Sequence, residues 1–179
     1  MKKKDIVLGI TGSIAAYKAC GLITRLREKG YNVVCVMTEE AEEFITPLTL
    51  ETLSGNRAHR GMFALPDKRE ITHVSLARKA DLIVICPATA NAIAKLASGL
   101  CDDLLSATII SSSAPVIIAP AMNDRMYNNR ITQRNIQELK KSGYKFIDPV
   151  KGRLACGYVG AGHLAETSRI INRIEKILK

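Results

Sequence analysis

Tryptophan is absent from this 179-residue chain, and aromatic residues make up only 4% of it. Proteins that bind single-stranded nucleic acid usually combine basic residues with aromatic side chains on which the bases stack. This chain has the basic residues, with a net charge of +9, but few aromatic ones. We therefore expect no nucleic-acid partner. The charge fits either a solvated basic surface or a surface that attracts an acidic small molecule such as a phosphate ester.

Long apolar runs are also missing, so we expect no membrane partner. The basic N-terminus leads directly into a strand-like run instead of a signal peptide. The cysteines form no CxxC pair and no metal-like cluster. The sequence therefore predicts a cytoplasmic protein without a metal site, in which most cysteines are small buried residues. The cysteines are Cys20, Cys35, Cys86, Cys101 and Cys156.

Short apolar runs alternate with helical segments along the chain. Residues 6–10, 82–86 and 116–119 are apolar throughout, which is typical of parallel strands buried on both faces. Length and composition fit one domain over residues 1–179. The alternation predicts an α/β fold, a Rossmann-like (flavodoxin-like) doubly wound parallel sheet in a three-layer α/β/α arrangement. Further elements are predicted as a strand at 32–37, a short strand at 144–147, and helices at 14–29, 92–98, 102–111, 132–142 and 165–178.

The first predicted strand is followed by the turn Thr11-Gly12-Ser13-Ile14. In open α/β sheets, ligands bind outside the carboxyl ends of the strands. Glycine permits a tight turn there, and the start of the next helix offers free N–H groups to an anion such as a phosphate. The turn has one glycine and lacks the GxGxxG fingerprint, so a mononucleotide phosphate fits better than a dinucleotide.

Two other strand ends carry small or polar residues. Pro87-Ala88-Thr89-Ala90-Asn91 would let a flat ring approach the backbone while Thr89 and Asn91 bond its polar edge, although a plain capped helix start explains it equally well. In Pro120-Ala121-Met122-Asn123, the asparagine amide can donate to a carboxylate and Met122 can pack on a planar ring.

A glycine-rich segment, residues 152–162, carries Cys156. Four glycines favour a loop that closes over a substrate while the thiol delivers a proton, but a surface turn with an incidental cysteine is an equal alternative. His73 opens a predicted short helix, and a lone histidine is more often a surface or hydrogen-bonded residue than a catalyst. His59 and His163 carry the same interpretation.

Taken together, these four motifs resemble the flavin-dependent cysteine decarboxylase family. The resemblance covers nearly the whole chain. It implies FMN as cofactor and decarboxylation of 4′-phosphopantothenoylcysteine to 4′-phosphopantetheine and CO2 in coenzyme A biosynthesis. It also implies a homo-oligomer, a trimer or a dodecamer built from trimers, with active sites at subunit interfaces. A separate phosphopantothenate–cysteine ligase would act upstream.

The resemblance also assigns roles to individual residues. His73 and Cys156 would be catalytic, with the thiol as proton donor. Asn123 would bind the substrate carboxylate, and a clamp loop at about 151–163 would contribute Arg153, Leu154 and Ala155. Residues that would contact FMN are Gly12, Ser13, Ile14, Thr38, Phe44, Thr89, Ala90, Asn91, Ala121 and Met122.

Three positions depart from the family pattern, which often has Thr, Trp and Arg where this chain has Ala92, Tyr127 and His163. The loss of Arg leaves the role of position 163 open. Alternative functions are a peptidyl-cysteine oxidative decarboxylase, a flavin prenyltransferase and a non-catalytic flavin-binding regulatory subunit. The Cys156 loop favours the complete, redox-neutral reaction, and the chain has neither the Gly-Ala-Ser-Gly type of phosphate loop of the prenyltransferases nor the long acidic tail of the regulatory proteins.

Overall fold

The computed structural model of the chain describes residues 3–63, 71–153, 155 and 157–179. Its central sheet is parallel, with the strand order β2-β1-β3-β4-β5. This is the flavodoxin-like order, in which ligands bind where β1 and β3 meet because the chain winds in opposite directions on either side of them. The strands are β1 (Asp5–Ile10), β2 (Asn32–Met37), β3 (Leu82–Ala88), β4 (Val116–Pro120) and β5 (Lys145–Phe146).

Helices cover both faces of the sheet, so the predicted doubly wound α/β fold is confirmed. A single 3₁₀ turn, Ile14–Tyr17, precedes the first helix. The helices in the described residues are α1 (Lys18–Glu28), α2 (Glu39–Glu42), α3 (Pro47–Ser54), α4 (Thr72–Lys79), α5 (Ala90–Ser98), α6 (Leu104–Ile110), α7 (Asp124–Asn128), α8 (Arg130–Lys141) and α9 (Thr167–Leu178).

Two apolar cores separate the sheet from its helical layers. Ile6 and Leu8 belong to the core that contains residues of α1 and α9, whereas Val7 belongs to the core that contains residues of α4, α5, α6 and α8. Alternate residues of each inner strand face opposite layers, and both layers exclude water. Apart from Asp5 at the start of β1, the inner strands β1, β3 and β4 are therefore apolar. Cys35 and Cys86 lie within β2 and β3 and are buried, as predicted.

Helix ends coincide with capping residues where the site is built. Thr89 precedes α5, and its hydroxyl accepts a hydrogen bond from the Ala92 N–H at 3.2 Å. Asp103 and Ser106 form a capping box at the start of α6, each side chain accepting from the backbone of the other. Such caps satisfy N–H groups that the first helical turn leaves without partners.

The structure differs from the sequence predictions in three segments. The helix predicted from Ile14 begins as the 3₁₀ turn, and α7 was not predicted. The segment at 151–163 is not a loop along its whole length. It contains an antiparallel hairpin of β6 (Val150–Arg153) and β7 (Val159–His163), in which glycines pair across the two strands at Gly152 and Gly160. In the part of the chain that the structure describes, no helix has the length and hydrophobicity of a membrane span.

Candidate functional site

The ends of β1 and β3 are joined through the hydroxyl of Thr11. This buried group donates to the Pro87 carbonyl at 2.8 Å and accepts from the Thr89 N–H at 3.0 Å. The turn after β1 also packs closely on α2, because a Cβ added to Gly12 would lie 2.4 Å from Cβ of Glu40. Gly12 is therefore needed for the close approach of this turn to α2. The hydrogen bonds of Thr11 hold the turn after β1 beside the segment that follows β3.

The hairpin reaches the same edge of the sheet through Met122. The Met122 N–H donates to the Gly162 carbonyl at 3.1 Å, and Ala121 N–H donates to Ala88 at 3.0 Å. A Cβ on Gly162 would lie 2.0 Å from the Met122 carbonyl oxygen. Glycine at 162 thus allows β7 to contact the segment that follows β4.

These strand ends and the hairpin enclose a cleft of about 620 Å³. A volume in this range is typical of sites for small molecules and cofactors. Small side chains and the turn after β1 leave room for a flat ring, and polar groups converge from three strand ends. The cleft is lined by Gly12, Ser13, Ile14, Ala15, Tyr17, Lys18, Glu40, Thr89, Ala90, Asn91, Ala121, Met122, Asn123, Met126, Arg153, Ala155, Gly162, His163 and Leu164.

Most residues predicted for the flavin and the substrate lie on this cleft, whereas Thr38, Phe44 and His73 do not line it. His73 is half-buried on α4, and Phe44 is 45% exposed beyond α2. Leu154 and Cys156 lie outside the described residues. The fold brings the three strand-end motifs together at the cleft, but His73 of the same chain does not line it.

Thr38 lies beneath the cleft, at the end of β2. Its hydroxyl is buried and has no hydrogen-bond partner within the described ranges. It faces a small cavity that shares Glu40, Thr89 and Asn91 with the cleft. A buried polar atom without a partner is unusual in a native protein. This hydroxyl could bond a polar group of a ligand, which fits the predicted cofactor.

Lys18 and His163 are cleft residues to which the sequence analysis gave no function. Nζ of Lys18 lies 2.7 Å from Nε2 of His163. Lys18 is the first residue of α1, directly after the 3₁₀ turn, and lines the cleft together with Ile14. No local pattern in the sequence identifies its contact with His163, which lies 145 positions further along the chain.

Tyr158, which directly precedes β7, was also missed by the sequence analysis. Its hydroxyl lies 3.0 Å from Nδ2 of Asn123 and 2.5 Å from Oδ1 of Asp124. Oδ1 of Asn123 accepts from the Arg125 N–H at 2.9 Å. Asn123 therefore contacts the cleft, the start of α7 and the hairpin at once.

Burial decides the chemistry of two thiols near the site. It raises the pKa of Cys86 to about 12, although the charge of Lys18 acts against the rise. Burial likewise raises the pKa of Cys35 to about 12, against a hydrogen bond with Ser54. Because the thiolate is the reactive form, neither residue can act as a nucleophile near neutral pH. Outside residues 1–2, 64–70, 154 and 156, no cluster of His, Cys, Asp and Glu could hold a metal ion.

A cation next to α6 has two acidic partners. Nζ of Lys95 lies 2.8 Å from both Asp102 and Asp103. Burial acts to lower the pKa of Lys95, but the hydrogen bonds to the two carboxylates outweigh it and raise the pKa. Burial acts to raise the pKa of Asp103, but Lys95 and Ser106 outweigh it and lower the pKa. This cluster joins α5 to the loop before α6.

Known proteins resemble this chain over nearly its whole length. The family model described as Flavoprotein matches residues 1–179. A probable phosphopantothenoylcysteine decarboxylase of Streptococcus mutans is 46% identical over 177 residues, which cover 98% of this chain and 99% of that protein. The coenzyme A biosynthesis bifunctional protein CoaBC of Bacillus subtilis is 45% identical over 176 residues. This match covers 98% of this chain but only 43% of CoaBC, so the chain spans less than half of that relative's length.

Solved structures show the same fold. A PPC decarboxylase mutant complexed with pantothenoylaminoethenethiol superposes with a TM-score of 0.89 at 33% identity, covering 98% of both chains. The FMN-dependent cysteine decarboxylase SpaF superposes with a TM-score of 0.86 at 30% identity, again covering 98% of both chains.

Proposed function

Because this chain belongs to the Flavoprotein family, we propose that it is a carboxy-lyase of coenzyme A biosynthesis. The reaction is the FMN-dependent decarboxylation of 4′-phosphopantothenoylcysteine to 4′-phosphopantetheine and CO2. The observation that supports it most directly is the cleft at the β1/β3 edge, where strand-end residues, Asn123 and the hairpin surround about 620 Å³. A relative named for this activity, similar over nearly its full length, supports the substrate.

The cofactor proposed for the cleft is FMN. One glycine in the turn after β1 suits a single phosphate, and SpaF, described as FMN-dependent, shares the fold. Gly12 and Ser13 would hold the phosphate end, with Thr38 below them. Thr89, Asn91 and Ala121 would line the flavin ring. When bound, FMN supplies the two-electron oxidation of the substrate's sulfur-bearing carbon and the matching reduction later in the cycle.

The remaining steps belong to the chain's own side chains. Asn123 holds the substrate carboxylate by a neutral donor, because a cation there would stabilise the carboxylate and oppose its loss. His73 accepts the proton of the substrate thiol, which makes removal of hydride from the adjacent carbon easier. After CO2 leaves, Cys156 gives a proton to the carbon that carried the carboxylate. Arg153, Leu154 and Ala155 close over the substrate and exclude water.

The active enzyme is proposed to be a trimer or a dodecamer built from trimers, with each site shared between subunits. Its support here is that His73 and Phe44 do not line the cleft of their own chain, so a neighbouring subunit would have to bring them. Large apolar side chains at the mouth of the cleft are exposed in the single chain, as expected for residues that a second subunit covers. They include Ile14, Tyr17 and Met126.

Cellular context follows from the reaction. The substrate contains an amide between phosphopantothenate and cysteine, so a ligase must supply it. We place the enzyme in the cytoplasm, and the free thiols of Cys20, Cys35, Cys86 and Cys101 fit a reducing compartment.

Incubation of the purified protein with FMN and 4′-phosphopantothenoylcysteine tests the proposal, with the product mass as readout. We expect 4′-phosphopantetheine and one CO2 per substrate, without net oxidation. A product two hydrogens lighter, with reduced flavin left behind, would instead identify an oxidative decarboxylase of the peptidyl-cysteine type. Failure to take up FMN, or to consume the substrate, would contradict the proposal.

A further inference from the structure

Glu40 packs against the turn that follows β1. A Cβ added to Gly12 would lie 2.4 Å from Cβ of Glu40 and 3.2 Å from its carbonyl carbon and oxygen. Glu40 also lines both the cleft and the small cavity beneath it. Because a glutamate side chain is short, its carboxylate stays near a turn that its own Cβ approaches so closely. A negative charge therefore lies beside Gly12 and Ser13.

The charges that line the cleft are unevenly placed. Among the cleft residues that the structure describes, Glu40 alone is acidic, whereas Lys18, Arg153 and His163 are basic. Arg153 and His163 belong to the hairpin, and Nζ of Lys18 lies 2.7 Å from Nε2 of His163. The salt bridges between described residues do not include Glu40. The basic groups are thus gathered towards the hairpin, and the carboxylate lies at the turn after β1.

The charges below Glu40 do not neutralise it either. Lys95 lines the cavity that Glu40 shares, but its Nζ lies 2.8 Å from the carboxylates of both Asp102 and Asp103. One ammonium group with two carboxylates leaves this cluster with an excess of negative charge. The side of the site formed by the turn after β1, α2 and the start of α6 is therefore acidic, although the whole chain carries a net charge of +9.

A phosphate bound at Gly12 and Ser13 would meet the carboxylate of Glu40. Like charges repel, and water reduces the repulsion here because Glu40 is exposed. The repulsion grows with the charge of the ligand. It is absent for riboflavin, which has no ester group. It is intermediate for the singly charged riboflavin 5′-sulfate and largest for FMN, whose phosphate carries a charge of about −2 at pH 8.

We propose that Glu40 is a charge-selecting residue of the cleft: its carboxylate opposes the phosphate of the bound flavin and lowers the affinity for a doubly charged ligand relative to a neutral one. This inference rests on the proposed function, since it takes the ligand to be FMN. The turn after β1 attracts the phosphate, and Glu40 limits that attraction. The cofactor therefore dissociates and rebinds more readily than the turn alone would allow.

Glu40→Gln tests the proposal, because it removes the charge and keeps the size of the side chain. Titration of the flavin-free protein at pH 8, followed by flavin fluorescence, gives the affinity for each of the three flavins. We expect Glu40→Gln to bind FMN about 3- to 10-fold more tightly than the wild type and riboflavin 5′-sulfate about 2- to 3-fold more tightly. Binding of riboflavin should change less than twofold. Sulfate and phosphate esters are similar in size, so the graded gain reports charge.

Glu39→Gln is the matched control. It removes the same charge one position earlier on α2, from an exposed residue that lines neither the cleft nor the cavity. All three flavins should bind this variant within twofold of the wild type. Equal gains for FMN in the two variants would show a general effect of net charge and overturn the proposal. An equal gain for all three flavins in Glu40→Gln, or weaker binding of FMN, would also overturn it.

Glu40→Lys reverses the charge and should strengthen FMN binding beyond the gain of Glu40→Gln, again with less than twofold effect on riboflavin. If the wild type binds none of the three flavins, the proposed cofactor is wrong and the role of Glu40 falls with it. If the wild type binds FMN and neither variant changes the ratio of FMN affinity to riboflavin affinity, only the role of Glu40 is refuted.

Discussion

Lys18 and His163 lie 145 positions apart in the chain and are joined by a contact of 2.7 Å between Nζ and Nε2. A lysine ammonium has donors and no acceptor, so in a hydrogen bond from Lys18 the Nε2 atom of His163 is the acceptor. The ring lies against Gly152, where an added Cβ would come within 3.0 Å of Cγ of His163. The contact joins the start of α1 to the hairpin. Position 163, where this chain has His and the family often has Arg, therefore has a structural role.

Replacing His163 by leucine should loosen the hairpin, because the Lys18 ammonium loses its acceptor. We expect amide hydrogen exchange in peptides covering β6 and β7 to rise about 5- to 10-fold, as a charged hydrogen bond is lost. His163→Gln is the control of similar size, since its side-chain oxygen can still accept from Lys18, and its exchange should stay within twofold of wild type. Equal exchange in both variants would show that the hydrogen bond does not hold the hairpin.

Gly162→Ala should displace the hairpin from the strand ends. The new methyl group would lie 2.0 Å from the Met122 carbonyl oxygen, and backbone must move to relieve the overlap. Overpacking of this kind costs about 1–3 kcal/mol, so urea unfolding should show a loss in that range, together with weaker flavin binding. Gly21→Ala is the opposite control. Gly21 lies exposed within α1 and an added Cβ meets nothing within 4 Å, so the variant should gain about 0.5–1 kcal/mol.

The buried thiols predict a loss of stability in alkali. Burial raises the folded pKa of Cys35 and Cys86 to about 12, above the value of 9.0 for an unperturbed thiol. Both thiols are neutral in either state below pH 9, so their burial is tolerated there. Above pH 9 only the unfolded chain ionises them, and the free energy of unfolding should fall by up to about 1.4 kcal/mol per pH unit for each thiol until pH 12.

Urea unfolding of the wild type and Cys86→Ala at pH 8, 9, 10 and 11 measures this loss. The variant should lose stability less steeply above pH 9, by the contribution of one thiol. Iodoacetamide at pH 8 gives an independent readout. The exposed Cys101 should be alkylated in the native protein, while Cys35 and Cys86 should react only after unfolding. Parallel pH curves for wild type and variant would contradict this account.

The ion pairs of Lys95 should matter more than those at the surface. Lys95→Met would leave Asp103 without its cation, and Asp103 is only 27% exposed at its side chain. We expect a loss of about 1–3 kcal/mol in urea unfolding at pH 7. Lys140→Met is the control, because its contact with Asp148 is 3.8 Å long and solvent-exposed, and the expected change is below about 0.5 kcal/mol.

The same cluster predicts a pH dependence with a definite sign. Lys95 and Ser106 hold the folded pKa of Asp103 below its ordinary value of 3.8. The stability that ionised Asp103 contributes is therefore present above that value and is lost as pH falls through the folded pKa. The difference between wild type and Lys95→Met should narrow between pH 5 and pH 2. A difference that stays constant across this range would exclude the ion pair as its source.

Sequence reasoning placed the three strand-end motifs correctly because parallel strands end at one edge of the sheet, whatever their order in the chain. It could not foresee the hairpin, since glycine content indicates freedom of the backbone but not which strands pair. Nor could it find Tyr158, whose partners Asn123 and Asp124 lie more than 30 residues away. Contacts of this kind follow from tertiary packing and leave no periodic pattern in the chain.

His73 shows a different limit. Its residue type suggested chemistry, and its helix was placed correctly as α4 (Thr72–Lys79). No local pattern, however, can tell whether a side chain completes the site of its own subunit or of another. Gly12, Thr89 and Met122, by contrast, line the cleft of their own chain, as the strand-end motifs predicted.

One oxygen atom, Oγ1 of Thr11, bonds to the backbone on both sides of Ala88, at Pro87 and at Thr89. These two hydrogen bonds therefore hold the ends of β1 and β3 at a fixed distance from each other. Discrimination between ligands of different bulk must then come from the other wall, made by Met122, Asn123 and the hairpin. New substrate preferences should accordingly evolve by substitutions at Met122, Asn123 and the hairpin, while the ends of β1 and β3 stay unchanged.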